Sequence, residues 1–200
     1  MLKKLAAVLA LTIIGVVVAP AASVPLVIKT AWDDNDDPVL VDDFTSAVNN
    51  VAKKFPEVRG ITVTSQYLGP GVYAVAGGRR IALNDLYASS SLTVNLMFQY
   101  DVQEGFHPQP GRCSAGEFLA YHEAAHIIDQ AKGTVPRMEV AVTYGRGEFL
   151  TLSGYSFYRD GGLNPGEALA EAFASVLCNG GNASEQALYD ILVEVKPATA

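Results

Sequence analysis

Only two cysteines, Cys113 and Cys178, occur in 200 residues, too few for a four-thiolate zinc ribbon or an iron–sulfur cluster. Basic side chains are scarce as well. Fourteen Lys and Arg face 21 Asp and Glu, for a formal charge of −7. A chain this acidic, with no cluster of Lys and Arg among aromatics, repels phosphate and excludes nucleic acid as a partner. Charged residues make up only 18% and apolar ones 50%, which excludes disordered and low-complexity classes and suffices to bury a core. Internal repeats and long linkers are also missing, so one domain is expected over residues 22–200.

The one long apolar run is N-terminal. Lys3 and Lys4 precede a mostly apolar stretch over residues 5–18, and Ala19-Pro20-Ala21 offers small residues where a signal peptidase reads. That run is shorter than the roughly 20 residues needed to span a bilayer. Residues 1–21 are therefore expected to be a signal peptide cleaved after Ala21. The mature chain would be secreted or extracytoplasmic, with no membrane association and a monomeric state expected. In an oxidising compartment Cys113 and Cys178 are expected to pair rather than persist as thiols.

The cluster Asp33, Asp34, Asp36 and Asp37 lacks the Gly and Glu of a calcium loop and is expected to be a solvated loop, with Trp32 tucked against the domain. From Asp43, the residues Phe44, Val48, Val51, Ala52 and Phe55 recur at helical spacing until Pro56. Residues 61–68 predict a strand. Residues 72–76 and 79–83 predict a hairpin about Gly77-Gly78. Residues 92–100 alternate like a strand yet fit a short helix equally well. Ser114 with Glu117 forms a capping box for a helix through His122, His126 and Asp129. Asn164-Pro165-Gly166-Glu167 starts a second helix that ends at Asn179-Gly180-Gly181. A last helix over 185–195 presents Leu188, Ile191, Leu192 and Val195 on one face, as a docking helix would. The fold class expected is α+β, with a small, mostly antiparallel sheet.

Two of the chain's three histidines stand in His122-Glu123-Ala124-Ala125-His126. Spaced four apart on a helix, both imidazoles reach one zinc ion while the intervening Glu123 reaches the water that such an ion holds. A third ligand is required. Asp129 and Lys132 occupy positions where the astacin-like and matrix-type arrangement would need a Gly and a His. His107, in Gly105-Phe106-His107-Pro108, is expected to be an exposed loop residue. A carboxylate remains, and Glu167 and Glu171, one turn apart on the second capped helix, are the candidates. Ala170, Ala172 and Ala174 would let that helix approach closely.

His122 to Asp129, followed by Asn164-Pro165-Gly166-Glu167-Ala168-Leu169-Ala170-Glu171-Ala172-Phe173, resembles the Glu-zincin peptidases, and within them the catalytic domain of anthrax lethal factor and its secreted relatives. The likeness covers roughly the second half of the chain. It implies a zincin-like domain with one zinc ion per chain held by His122, His126 and Glu167, with Glu123 as general base. Glu171 would sit behind a histidine ligand, and Asp129 could support the site in the same way. The family pattern also places a tyrosine before the Glu motif to assist at the oxyanion. Tyr155, in Ser153-Gly154-Tyr155, matches it best, with Tyr158 as rival.

The activity so implied is hydrolysis of a peptide or protein substrate by a zinc-activated water, the substrate lying along an edge strand within residues 72–83. A secreted zinc-containing binding module without turnover is the alternative. On this ligand set Cys113 precedes His122 by nine residues and Cys178 follows Glu167 by eleven, helical lengths of about 13.5 and 16.5 Å. If the two helices run antiparallel and converge on one ion, both cysteines fall at the same end and a disulfide can close there.

Overall fold

A computed structural model describes residues 27–145 and 151–196. The expected signal peptide, with its cleavage after Ala21, lies outside them. The first strand β1, Lys29–Ala31, leads into the acidic loop and then into α1, Pro38–Lys54, which starts earlier than its apolar spacing suggests. Asp37 is the reason. Its side chain accepts from the Val39 amide and Pro38 sits at the first helical position. The same carboxylate also takes the amide and hydroxyl of Ser91, so this part of the acidic cluster is a structural joint. Trp32 packs edge-on against Phe44 and donates its indole N–H to Thr45.

Strands β2 (Thr62–Gln66), β3 (Ala74–Gly77) and β4 (Arg80–Asn84) complete a four-stranded sheet in the order β1-β2-β4-β3. The expectation of a mostly antiparallel sheet is corrected here. β1 pairs with β2 and β2 with β4 in parallel, and only β3 with β4 is antiparallel. The hairpin about Gly77-Gly78 is present, but α1 carries the chain across between β1 and β2, and such a crossover makes neighbours parallel. Residues 67–73 then place β3 outside β4. Within the hairpin only β3 is an edge strand, with β4 in the interior and β1 at the opposite edge of the sheet. Burial follows: Ile81, Ala82, Leu83 and Asn84 are buried in succession, the pattern of a strand covered on both faces.

After the single turn α2, Asp85–Ala88, residues 92–100 fall in helix α3, Ser91–Gln103, capped by Ser90. The alternation of Leu92, Val94, Leu96, Phe98 and Tyr100 therefore does not mark two sheet faces. Only Val94 and Phe98 are buried, while Leu92 is 68% exposed.

Helix α4, Ala115–Ala131, begins at the Ser114–Glu117 capping box, and α6, Pro165–Asn179, begins at Asn164 and ends on Gly180 in the left-handed conformation. Between them lie α5, Val135–Tyr144, and a 3-10 turn, Gly154–Ser156. Helix α7, Ala183–Glu194, closes the chain by burying Leu188 and Leu192. Small residues govern the approach of α4 and α6: Ala120 and Ala124 on one, Ala170, Ala172 and Ala174 on the other, are all fully buried. Seven helices and a mixed four-stranded sheet, counted among the described residues, make an α+β domain.

Cys113, just before α4, is bonded to Cys178, at the end of α6, with Cα atoms 5.3 Å apart. The start of one helix is thus tied to the end of the other, and the two run antiparallel. Beside the bond, Gly111 has φ +61°, and a Cβ there would lie 2.6 Å from Asn179 Cβ. Only glycine fits both demands. The sequence separation of 65 sets the loop that the bond closes, and a bond of this kind stabilises a fold by about 2–4 kcal/mol. Reduction, or the Cys113→Ser/Cys178→Ser variant, is expected to lower the thermal midpoint by about 5–15 °C, as read by circular dichroism.

Candidate metal centre

Helical periodicity puts His122 and His126 on the same side of α4, and the antiparallel packing sets the first turn of α6 against them. His122 Nε2 lies 3.1 Å from Glu167 Oε2 and 3.2 Å from His126 Nε2, and the latter lies 3.3 Å from the same Glu167 oxygen. These three residues form a group able to hold a metal ion. The triangle is nearly equilateral. Ligands about 2.0–2.1 Å from a tetrahedral metal ion are separated by about 3.3 Å, close to the spacings found here.

The protons support the same conclusion. Glu171 Oε1 accepts from His122 Nδ1 at 2.9 Å, which leaves the Nε2 lone pair of a neutral His122 pointing at the Glu167 carboxylate. Two acceptors facing each other at 3.1 Å repel unless a cation lies between them. In the metal-free chain that cation is a proton. Burial opposes the charge, but the hydrogen bonds to Glu167 and Glu171 outweigh it and hold His122 up at about 10. Glu167 is held well below the usual carboxylate range: burial would raise it, but the bonds from His122 and His126 prevail.

A divalent ion must therefore displace the His122 proton below about pH 10, whereas Glu167 offers no proton to displace. Affinity for a divalent metal ion is expected to weaken about tenfold for each pH unit lowered between pH 8.5 and 6.5. Competition titration with a chromophoric chelator measures this, and a flat profile would contradict it.

Glu171 sits deeper, 1% exposed, and all its neighbours donate to it. His122 Nδ1, His107 Nδ1 at 3.1 Å from both oxygens, and the Ser153 hydroxyl at 2.9 Å share the carboxylate. Burial alone would raise this carboxyl, but the bonds from His107 and His122 hold it at about 2. Glu171 thus faces the back of His122.

His107 corrects the expectation of an exposed loop residue. It is 5% exposed, stacked on Phe98 and enclosed by Phe106 and Tyr155. Its neighbours in sequence look loop-like because the burial is tertiary: α3, the 3-10 turn and α6 supply the cage and the acceptor. Asp129 is also corrected. It is buried, but it pairs with the side chain and amide of Arg137 on α5 and makes no hydrogen bond to His126. Arg137 thereby enters the cleft wall, a contribution that no motif in the sequence announced.

Glu123 is 5% exposed, and no hydrogen-bond donor among the described residues holds its carboxylate. Burial raises its affinity for a proton above that of an ordinary glutamate. Tyr155 stands beside the metal-ligand triangle, its ring 5.6 Å from that of His122, and burial raises its hydroxyl pKa. Tyr158 is 53% exposed and lines a different depression with Ala141 and Leu163. Two cavities meet at His122, Glu123 and Tyr155. One is an open cleft of about 310 Å³ running past Val75 and Ala76 of the edge strand, and the other a chamber of about 250 Å³ leading toward Tyr87 and Leu119.

Asn84 holds this arrangement from behind. Fully buried, it caps α2 and donates to the carbonyls of Gly69 and Val72, which fixes the loop that walls the chamber. No family model, no curated protein and no solved structure matches the chain. The chemistry of the site therefore follows from its geometry.

Proposed function

We propose that the chain is an exported zinc-dependent peptidase of the Glu-zincin type with a zincin-like fold, carrying one zinc ion per chain on His122, His126 and Glu167. The observation that carries this reading is the triangle of three acceptor atoms, 3.1–3.3 Å on each side, set beside a buried carboxylate with no donor of its own. A structural site would close the fourth position. Here the triangle opens onto the cleft.

An ion bound there supplies Lewis acidity toward a carbonyl and lowers the pKa of water. The remaining work belongs to the protein. β3 has no strand on its outer side, so an extended peptide can add to it by main-chain hydrogen bonds. Gln130 marks one end of that edge by donating to the Ala76 carbonyl and accepting from the Gly78 amide. Glu123 takes the proton of the attacking water on its carboxylate and passes it to the leaving amine. Tyr155 presents its hydroxyl, still protonated at neutral pH, to the oxyanion. The Cys113–Cys178 bond fits an extracytoplasmic protein, and among the described residues no helix is long and apolar enough to cross a membrane.

The test is turnover of a broad peptide library by the metal-loaded chain, together with metal analysis. One zinc per chain and cleavage abolished by a chelator are expected. Zinc bound without any cleavage would favour a binding module, and undiminished zinc in His122→Ala would reject the centre itself.

A further inference from the structure

We propose that the chamber beside Glu123 is a specificity pocket for a long basic side chain, lysine or arginine, of the residue adjoining the scissile bond. This deepens the peptidase reading and rests on it. Val72, Ala74, His122, Glu123 and Tyr155 line both the chamber and the edge-strand cleft. A peptide lying on β3 therefore places one side chain in the chamber while its backbone stays beside Glu123.

The chemistry of the walls selects that side chain. Met97, Leu119, Phe106 and Tyr87 offer apolar surface for an aliphatic stem. Among the lining side chains, Asp101 and Glu123 are acidic and none is Lys or Arg, and the charge that His122 carries without metal is matched by Glu167 and Glu171 at its two ring nitrogens. The two lining histidines turn Nδ1 away to Glu171.

Asp101 is set for the task. Its backbone carbonyl accepts from the amide of Phe106 at 2.8 Å, which fixes its position. Its Oδ2 accepts from the Tyr73 hydroxyl at 2.6 Å, and among the described residues no donor reaches Oδ1. Asp101 is half-buried, and its free oxygen can take a charge-assisted hydrogen bond from a cation that enters the chamber, while the rings of Tyr73, Tyr87 and Phe106 add attraction for that cation. An apolar side chain would fill the space yet strip water from Asp101 without replacing it. An acidic one would meet two carboxylates.

Hydrogen bonds to a charged partner distinguish ligands by about ten- to hundredfold, which sets the effect to be measured. Quenched peptides that are identical except for Lys, Arg, Met, Leu or Glu on either side of the scissile bond should show it. At one of the two positions, kcat/KM for Lys and Arg is expected to exceed that for Met by at least about tenfold, with Glu poorest. Asp101→Asn keeps an acceptor for Tyr73 and is expected to bring the Lys-to-Met ratio to about one. Absence of a basic preference on both sides, or a preference that survives Asp101→Asn, overturns the proposal.

A second measurement needs neither turnover nor metal. The full chain has three methionines, and the labelled Met97 methyl reports on the chamber by NMR. Saturable shifts with n-butylguanidinium, weaker with n-pentanol and lost in Asp101→Asn, are expected. If no peptide is cleaved while these shifts occur, the peptidase reading fails and the pocket for a basic group stands. If peptides are cleaved without basic preference and Met97 does not respond, the pocket assignment fails and the peptidase reading stands.

Discussion

Glu123→Gln is expected to leave one zinc ion bound per chain while peptide hydrolysis falls by about 10²- to 10⁴-fold. The reasoning separates holding a metal from moving a proton. The three atoms close enough together to hold an ion belong to His122, His126 and Glu167, and the Glu123 carboxylate is not among them. Glutamine keeps the shape and removes only the ability to accept a proton. Burial raises the affinity of Glu123 for a proton, and glutamine at this position has none. Metal analysis and kcat/KM on one cleaved peptide, measured on the same preparation, decide the matter. Retained turnover would remove Glu123 from the mechanism, and loss of metal would make it a ligand.

Local signals carried most of the site. The Ser114–Glu117 box, Asn164 followed by Pro165, and the two-histidine spacing are short-range patterns, and each helix starts where its cap lies. The disulfide was legible for a different reason: in two antiparallel helices, nearly matched lengths of chain from His122 back to Cys113 and from Glu167 on to Cys178 bring both cysteines to the same end. What escaped was tertiary. His107 becomes a partner of Glu171 only because α3 and the 3-10 turn build a cage of Phe98, Phe106 and Tyr155 around it.

The parallel sheet escaped because strand direction depends on what crosses between strands, and residues 61–68 carry the same composition either way. In α3, apolar residues at every second position imitated a strand, although the segment starts as a helix on the Ser90 cap. Asp129 was misplaced by equating one helical turn with contact. Its partner Arg137 lies on α5, a helix for which no start signal had been read.

Glu167→Ala and Glu171→Gln are expected to differ in kind as well as size. The two glutamates are four residues apart on α6, and sequence spacing alone would let either one bind the ion. Their surroundings separate them. Glu167 directs Oε2 at two histidine Nε2 atoms, and on the proposed ligand set its removal takes away one of three protein ligands. On a total of about 10–16 kcal/mol for zinc held by four ligands, one ligand accounts for roughly 3 kcal/mol, a loss in affinity of about 10²-fold or more. Glu171 has both oxygens occupied by His107, His122 and Ser153, and none is free for a metal. Glu171→Gln leaves the ligand set complete but weakens the hold on the His122 ring, a change that costs about 10- to 100-fold in affinity or activity. Isothermal titration with zinc on the two variants, beside the unaltered chain, ranks them. Normal zinc affinity in Glu167→Ala with loss in Glu171→Gln would reverse the assignment. Affinity reduced in both, more strongly in Glu167→Ala, with His107→Ala matching Glu171→Gln, is the expected pattern, because His107 acts on the ion only through the carboxylate it shares with His122.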